Sequence, residues 1–274
     1  MDQLLQALVM GIAQGLTEFL PISSSGHLIL VPYLFGWDDP FIESLAFSVV
    51  LHAGTLLALL VYFRADWLRL VPAGLATIRD RSFRGDPDRK LAWMLALSTI
   101  PAAIAAILLN DIIESAFRQP GLVAVTLVIG AGILWLADRW GARTRGTEDV
   151  GPGIALGLGA AQALALIPGV SRSGISVSAA LFAGLRRVDA VRYSFLMATP
   201  ITALAVGYEG LKLVRGEVVG ATPGVLIVGV VSAFVAGILA ITVLLRYVRT
   251  QSFTIFVVYR LVLAAVVLAV FLAR

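Results

Sequence analysis

Six stretches of this chain run for close to twenty residues with almost no charge, and that sets what the chain can become. They are 45–63, 91–109, 121–137, 193–214, 223–245 and 253–272. Each is near the length of about 20 apolar residues that carries a helix across a bilayer core. The composition agrees, with 59% hydrophobic and 14% charged residues among 274, where a soluble domain carries about 25% charge. A water-soluble globule and a disordered chain are both excluded. The absence of cysteine removes disulfides, a thiol nucleophile and thiolate metal sites. A net charge of +4 would hint at nucleic acid in a soluble protein. Here the basic residues sit between apolar runs, where they orient a membrane protein, so no nucleic-acid partner is expected.

Two further apolar regions are interrupted. The run 4–16 meets Glu18, Pro21, Ser23, Ser24, Ser25, Gly26 and His27 before resuming at 28–35. The run 153–167 meets Pro168, Gly169, Ser171, Arg172, Ser173 and Gly174 before resuming at 175–185. Each half is too short to span. Irregular backbone at membrane depth survives only where protein or a wet cavity satisfies its polar groups, so both regions are expected to form re-entrant helix–loop–helix hairpins. The first run lacks a basic start and a small-residue cleavage site, so it is not expected to be a signal peptide.

Loop charges support this reading. The connection 64–90 carries Arg64, Arg69, Arg79, Arg81, Arg84, Arg89 and Lys90 against four acids; 140–150 carries Arg143 and Arg145. Arg186, Arg187 and Arg192 follow the second interrupted region, and Arg246 and Arg249 separate the last two spans. By contrast, 36–43 has Asp38, Asp39 and Glu43 with no base, and 110–119 has two acids and one arginine. If both interrupted regions enter and leave on one side, all the basic loops share the cytoplasmic face and both termini lie outside, with Arg274 a small exception.

The interrupted regions align without gaps at an offset of 148, giving nine identities over positions 7–30. The informative ones pair Gln14 with Gln162 and Ser23, Ser25 and Gly26 with Ser171, Ser173 and Gly174. Each region is followed by three spans, and the charge pattern has them enter from opposite sides, the signature of inverted-topology repeats. The expected architecture is an all-α polytopic membrane protein: six transmembrane helices plus two re-entrant hairpins, repeat one at 1–150 and repeat two at 151–274. Such repeats place polar sites near the midplane.

The chemistry gathers at the two breaks. Gln14 and Glu18 are four apart and share a helix face, and a carboxylate at membrane depth needs a cavity or a partner. Ser23, Ser24, Ser25 and His27 follow it, each with a capping or packing explanation besides a functional one. In the second break, Arg172 in a short Gly/Ser loop opening a half-helix makes an anion cradle, with Ser171, Ser173 and Ser176 beside it. A carboxylate able to hold a divalent cation, hydroxyls, an imidazole and a guanidinium together suit phosphoryl transfer. Arg260, inside the last span, must meet an anion or a carboxylate: either it completes the phosphate pocket or it pairs with Glu18. His52 reads as a packed, hydrogen-bonded histidine.

These two motifs, Gln14-x-x-x-Glu18 with Pro-x-Ser-Ser-Ser-Gly-His27 and Pro168-Gly-x-Ser-Arg-Ser-Gly-x-Ser176, resemble those of the undecaprenyl-diphosphate phosphatase (bacitracin-resistance) family over essentially the whole chain. The resemblance implies a bacterial inner-membrane enzyme that hydrolyses a polyprenyl diphosphate lipid to the monophosphate carrier of cell-wall synthesis, using a divalent cation such as Mg or Ca. It implies metal or water coordination by Glu18 and more weakly Gln14, catalysis by Ser24 and His27, and phosphate binding by Arg172. Two positions depart from the family pattern: Gln14 stands where many members have Glu, and Ser176 where Thr is usual.

The nucleophile stays open between Ser24, with His27 or Glu18 taking its proton, a phospho-histidine at His27, and metal-activated water. A transporter or lipid flippase for the same head group is the rival reading, because inverted repeats also build transporters. A proton-coupled channel leaves Arg172 unexplained. The outer, periplasmic face is the expected mouth of the site. Gly11-x-x-x-Gly15 and Gly153-x-x-x-Gly157 fit the small-residue pattern of close helix approach, within the chain or at a homodimer seam. Trp37, Trp67, Trp135 and Trp140 lie near span ends as interface anchors.

Overall fold

A helix in hydrocarbon satisfies its own backbone, and every expected span is helical. The computed structural model describes residues 2–83, 85–116, 119–215, 220 and 222–273. In chain order it holds α1 (Gln3–Phe19), α2 (Ser24–Phe35), α3 (Leu45–Tyr62), α4 (Arg64–Asp80), α5 (Pro87–Ala116) and α6 (Pro120–Trp140). Then come α7 (Pro152–Ala163), α8 (Arg172–Phe182), α9 (Arg187–Val214), α10 (Pro223–Tyr247) and α11 (Thr254–Ala273). Among the described residues six helices are long and apolar enough to cross a membrane: α3, α5, α6, α9, α10 and α11. No strand forms among them. Arg84, Arg118 and Arg274 lie outside the described residues, as do the side chains of 110–116.

Both interrupted regions are re-entrant. Gln3 at the start of α1 donates to Asp39 just beyond α2 at 3.1 Å, so the first hairpin enters and leaves on one face. The second behaves alike: the Arg186 amide donates to the Arg145 carbonyl at 2.9 Å, joining the chain before α7 to the chain after α8. The basic loops form one belt on the opposite face from Asp39. Asp66 of α4 receives Arg192 of α9 at 2.5 Å, Lys90 donates to the Glu148 carbonyl at 2.7 Å, and Asp138 at the end of α6 takes Arg187 at 2.6 Å and the Phe253 amide at 3.0 Å.

Helix packing exchanges partners between the two halves. The hairpin helix α1 lies on α10 of the second half, and its counterpart α7 lies on α5 of the first. Apolar burial does not drive this association in lipid; close van der Waals approach does. A β-carbon on Gly11 would overlap Ser232 Oγ and the Gly229 carbonyl of α10, and one on Gly15 would lie 2.6 Å from the Ala236 β-carbon. At the equivalent place on α7, a β-carbon on Gly159 would lie 2.9 Å from Pro101 of α5. The expectation for Gly153 and Gly157 as a packing pair within the chain is corrected: a β-carbon on either would meet nothing within 4 Å among the described residues.

Two boundaries differ from the sequence reading. The charged first turns of α5 and α9 are already helical, with Asp88 and Asp189 placed where a carboxylate complements the positive end of a helix. The connection 64–90, read only as a basic loop, contains α4. Its Leu68, Val71, Leu75 and Ile78 are exposed at helical spacing on one stripe, with Arg69 off it and Arg64 and Arg79 at the two ends of the helix. That pattern belongs to a helix lying in the bilayer interface.

Candidate active site

The hairpin tips meet, and they are built alike. Ser23 and Ser171 both hold positive φ, 76° and 75°. Each accepts an amide hydrogen bond from the glycine three residues on, Gly26 at 3.3 Å and Gly174 at 3.1 Å, and so caps α2 or α8. A non-glycine residue in that region costs about 1–3 kcal/mol and persists only where its surroundings impose it. The cap satisfies an orphan amide at each helix start. The result is that Ser24 and Arg172, the first residues of α2 and α8, stand at the junction of the tips. Both are only partly buried.

Glu18, at the end of α1, is the centre. It is 4% exposed, and a carboxylate there requires partners on both oxygens. The Arg172 guanidinium donates to Oε1 at 2.5 Å. The Ser24 hydroxyl donates to Oε2, as does the Gln14 amide nitrogen at 3.2 Å. Gln14 Oε1 is buried and has no partner among the described residues. Thus Gln14, Glu18, Ser24 and Arg172, expected to converge from the two breaks, form one connected cluster across the seam between the halves.

His52, read as a packed, hydrogen-bonded histidine, makes such a hydrogen bond and in addition approaches this cluster. Its Nδ1 lies 2.7 Å from the Ser48 carbonyl, which can only accept, so that nitrogen carries a proton. Its Nε2 then points at Glu18 Oε2, 3.6 Å away. The rule that singled out Arg260, a titratable side chain inside a span, applied equally to His52.

His27 lies beside this cluster with both ring nitrogens engaged. Nδ1 is 2.7 Å from the Ser23 carbonyl and Nε2 is 2.7 Å from the Tyr259 hydroxyl. Tyr259 is a site neighbour that the sequence did not indicate, for a tyrosine in a span is ordinary until a partner is seen. Ser25 lies 3.4 Å from Ser23, and Ser173 lies 3.3 Å from Ser171. Ser173 also donates to the Leu20 carbonyl at 3.0 Å, tying the second tip to the first. Ser176 Oγ is buried without a partner among the described residues.

Arg260 is fully buried and does not pair with Glu18. Its guanidinium donates to backbone carbonyls: Leu127 at 3.2 Å, Gly169 at 2.7 Å, Val170 at 3.0 Å and Pro21 at 3.5 Å. Pro21 and Gly169 belong to opposite tips, so Arg260 acts as a brace across the junction. It supplies donors to carbonyls that hairpin geometry leaves without helical partners.

The arrangement offers a hydroxyl already hydrogen-bonded to a carboxylate and a partly exposed guanidinium on its other oxygen, both at helix starts. That combination positions and neutralises a phosphorylated substrate.

A family model described as bacitracin resistance protein BacA matches residues 7–266 of this chain. Curated relatives match along nearly the whole length. A protein of Desulforudis audaxviator named undecaprenyl-diphosphatase is 45% identical over 273 residues, covering 98% of both chains. Proteins of the same name from Gemmatimonas aurantiaca and Moorella thermoacetica are each 46% identical, over 269 and 270 residues, with 98% of both chains covered.

Proposed function

The chain belongs to the bacitracin resistance protein BacA family, and we infer from that membership that it hydrolyses undecaprenyl diphosphate to undecaprenyl phosphate and inorganic phosphate. It is a multi-pass membrane protein. The mechanism rests on one observation: Ser24 donates to one oxygen of Glu18 while Arg172 holds the other.

In this reading the terminal phosphate of the lipid displaces Glu18 as the partner of Arg172, whose planar fork takes two phosphate oxygens. Glu18, released from one cation, accepts the Ser24 proton as Ser24 Oγ bonds to the terminal phosphorus. The bond from that phosphorus to the bridging oxygen breaks, and Glu18 returns the proton to the departing lipid phosphate. Water then attacks the phosphoserine; Glu18 takes its proton and delivers it to Ser24 Oγ as inorganic phosphate leaves. Proton transfer by a positioned group contributes about 10²–10⁴-fold. His52 orients Glu18 from behind, and His27, held by Ser23 and Tyr259, fixes the first tip.

A divalent cation fits the residues present. Among the described residues no group of three or more His, Asp or Glu stands together, so the chain provides no complete cage. Mg does not require one, since it is held by one or two carboxylates with substrate phosphates and water. Glu18 and the unpartnered Gln14 Oε1 would hold it, and it would neutralise charge on the diphosphate.

The setting is the bacterial inner membrane, with the mouth on the outer face, where the α1–α2 hairpin opens on the side of acidic Asp39. An impermeant substrate analogue cleaved only from the cytoplasmic side of sealed vesicles overturns that orientation. The activity is tested by phosphate release from undecaprenyl diphosphate and Mg in detergent, with Glu18→Ala and Arg172→Ala as backgrounds. Release no greater than in those variants refutes hydrolysis at this site. Acid-quench trapping is expected to place label on Ser24, and label on His27 overturns the choice of nucleophile.

A further inference from the structure

A second concentration of guanidinium groups lies at the basic face, where the ends of α6, α9 and α10 come together. A cavity of about 510 Å³ is lined there by Arg143, Arg186, Arg187 and Arg249 with Val188 and Asp189. Its volume is that of a small-ligand site. None of the residues around Glu18 contributes to it.

The carboxylates nearby do not balance these four cations. Asp189 takes Arg186 at 2.6 Å, and Asp138 takes Arg187 at 2.6 Å as well as the Phe253 amide. Arg143 reaches Asp138 only at 3.8 Å, and its buried Nε has no hydrogen-bond partner among the described residues. No ion pair joins Arg249 to a described residue. Glu148 and Asp149 add a weaker field at Arg186 from outside the lining. One acid, Asp189, lies within the lining, and with Asp138 just outside it counted against Arg187, two of the four positive charges are left over. Arg143 also sits at φ 56°, a conformation imposed on a β-carbon-bearing residue. In addition α9 begins at Arg187, and its first-turn residues Arg187, Val188 and Asp189 line the cavity, so amides that lack helical acceptors lie beside it.

We propose that this cavity is a second phosphate-binding site, distinct from the catalytic junction, that takes a phosphate group from an anionic lipid headgroup or from free phosphate. Guanidinium pairs and helix-start amides are the donors that phosphate oxygens select. Basic pockets between transmembrane helices on the cytoplasmic side hold lipid headgroups in the same way. The rival is a diffuse surface charge that only orients the chain, for which every exposed arginine on this face is equivalent.

The whole chain in detergent is titrated with phosphatidic acid and with phosphatidylcholine, retention being read by native mass spectrometry. In parallel, inorganic phosphate is added without lipid and the melting temperature is followed. Phosphatidic acid is expected to be retained over phosphatidylcholine. Arg249→Gln, which breaks no ion pair, is expected to lower retention several-fold, and Arg143→Gln with Arg249→Gln about tenfold. Arg64→Gln, at the exposed start of α4, leaves it unchanged. Hydrolysis by the cavity variants near the parent rate shows that they fold. Retention with a weak response to phosphate identifies a lipid ligand. A melting shift with phosphate that the cavity variants lose identifies free phosphate. Equal losses in the Arg64 and Arg249 variants, or no loss in either, overturn the site.

Discussion

Ser24 and Arg172 stand 148 residues apart and occupy the same place in two copies of one turn. Each is the first helical residue after a serine at positive φ that caps the glycine amide three residues on. The two breaks share one backbone device and differ at the position it presents. One copy offers a hydroxyl and the other a cation, and the inverted arrangement turns them toward the same carboxylate. An asymmetric candidate site is thereby made from two matching turns.

The capping serines should therefore be sensitive to the chemistry of the replacement. Ser23→Ala and Ser171→Ala lose the cap, at about 1 kcal/mol each, and leave a β-carbon in the strained conformation. Ser23→Gly and Ser171→Gly lose the same oxygen but relieve the strain, which is about 1–2 kcal/mol for an L-residue at positive φ. Apparent melting temperatures in detergent should rank each glycine variant above its alanine counterpart. An alanine variant that melts with the parent protein removes the cap from the account.

Glu18 and Arg172 should be strongly coupled. Removing one partner of a buried pair strands the other charge and costs about 3–5 kcal/mol, whereas removing both is far milder. Glu18→Gln and Arg172→Gln should each lower the melting temperature, and the double variant should recover much of the loss while hydrolysing nothing. A double-mutant cycle on stability checks this, and additive losses would mean that the two side chains do not share a pair in the membrane.

Much of this was written in the chain because breaks and charges are local. Pro21, Ser23 to Ser25 and Gly26 announce where a helix stops and restarts, and arginines cluster where loops leave the membrane. The convergence of Glu18 with Arg172 was inferable from the repeat offset, since equivalent tips in an inverted pair approach each other. What stayed hidden depends on packing. His52 meets Glu18 only because α1 lies against α3, which no periodicity records. The partners of Arg260 are backbone carbonyls, and a carbonyl has no sequence signature. Gly11-x-x-x-Gly15 and Gly153-x-x-x-Gly157 read identically, yet only the first pair faces a neighbour. The helix α4 escaped because its apolar stripe is diluted by the charges that made the segment look like a loop.

His52 should act by holding Glu18 and not by touching the phosphorus. His52→Ala is expected to lower kcat about 10–100-fold, toward the low end of proton-transfer contributions, with KM little changed. His52→Gln, whose amide can donate toward Glu18 from the same position, should recover part of the rate. A rise in KM with unchanged kcat would instead make His52 a substrate contact.

The glycine pairs give a test inside one fold. Gly11→Ala and Gly15→Ala force a β-carbon into α10 and should destabilise by about 1–3 kcal/mol or more, as overpacking does. Gly153→Ala and Gly157→Ala meet open space and should stabilise their helix by up to about 1 kcal/mol through propensity. Thermal melts of the four single variants decide it; a loss at Gly157 matching that at Gly15 would mean that α7 has a neighbour beyond this chain.

Gln14 offers the most direct test of the proposed cation. Its unpartnered Oε1 is beside Glu18, and an amide oxygen is a weaker ligand for Mg than a carboxylate. Gln14→Glu adds a second negative charge to the donor set, and one or two carboxylates are what Mg normally uses. It should therefore lower the Mg concentration giving half-maximal hydrolysis. Gln14→Leu removes the oxygen and should raise that concentration about tenfold or more. The added carboxylate also competes for Arg172, so its phosphate affinity should weaken at saturating Mg, and KM should rise as metal demand falls. Opposite movement of the two constants is the signature of a residue placed between metal and guanidinium. If the Mg requirement is the same in all three proteins, Gln14 lies outside the coordination sphere and the cation is held through Glu18 and the diphosphate alone.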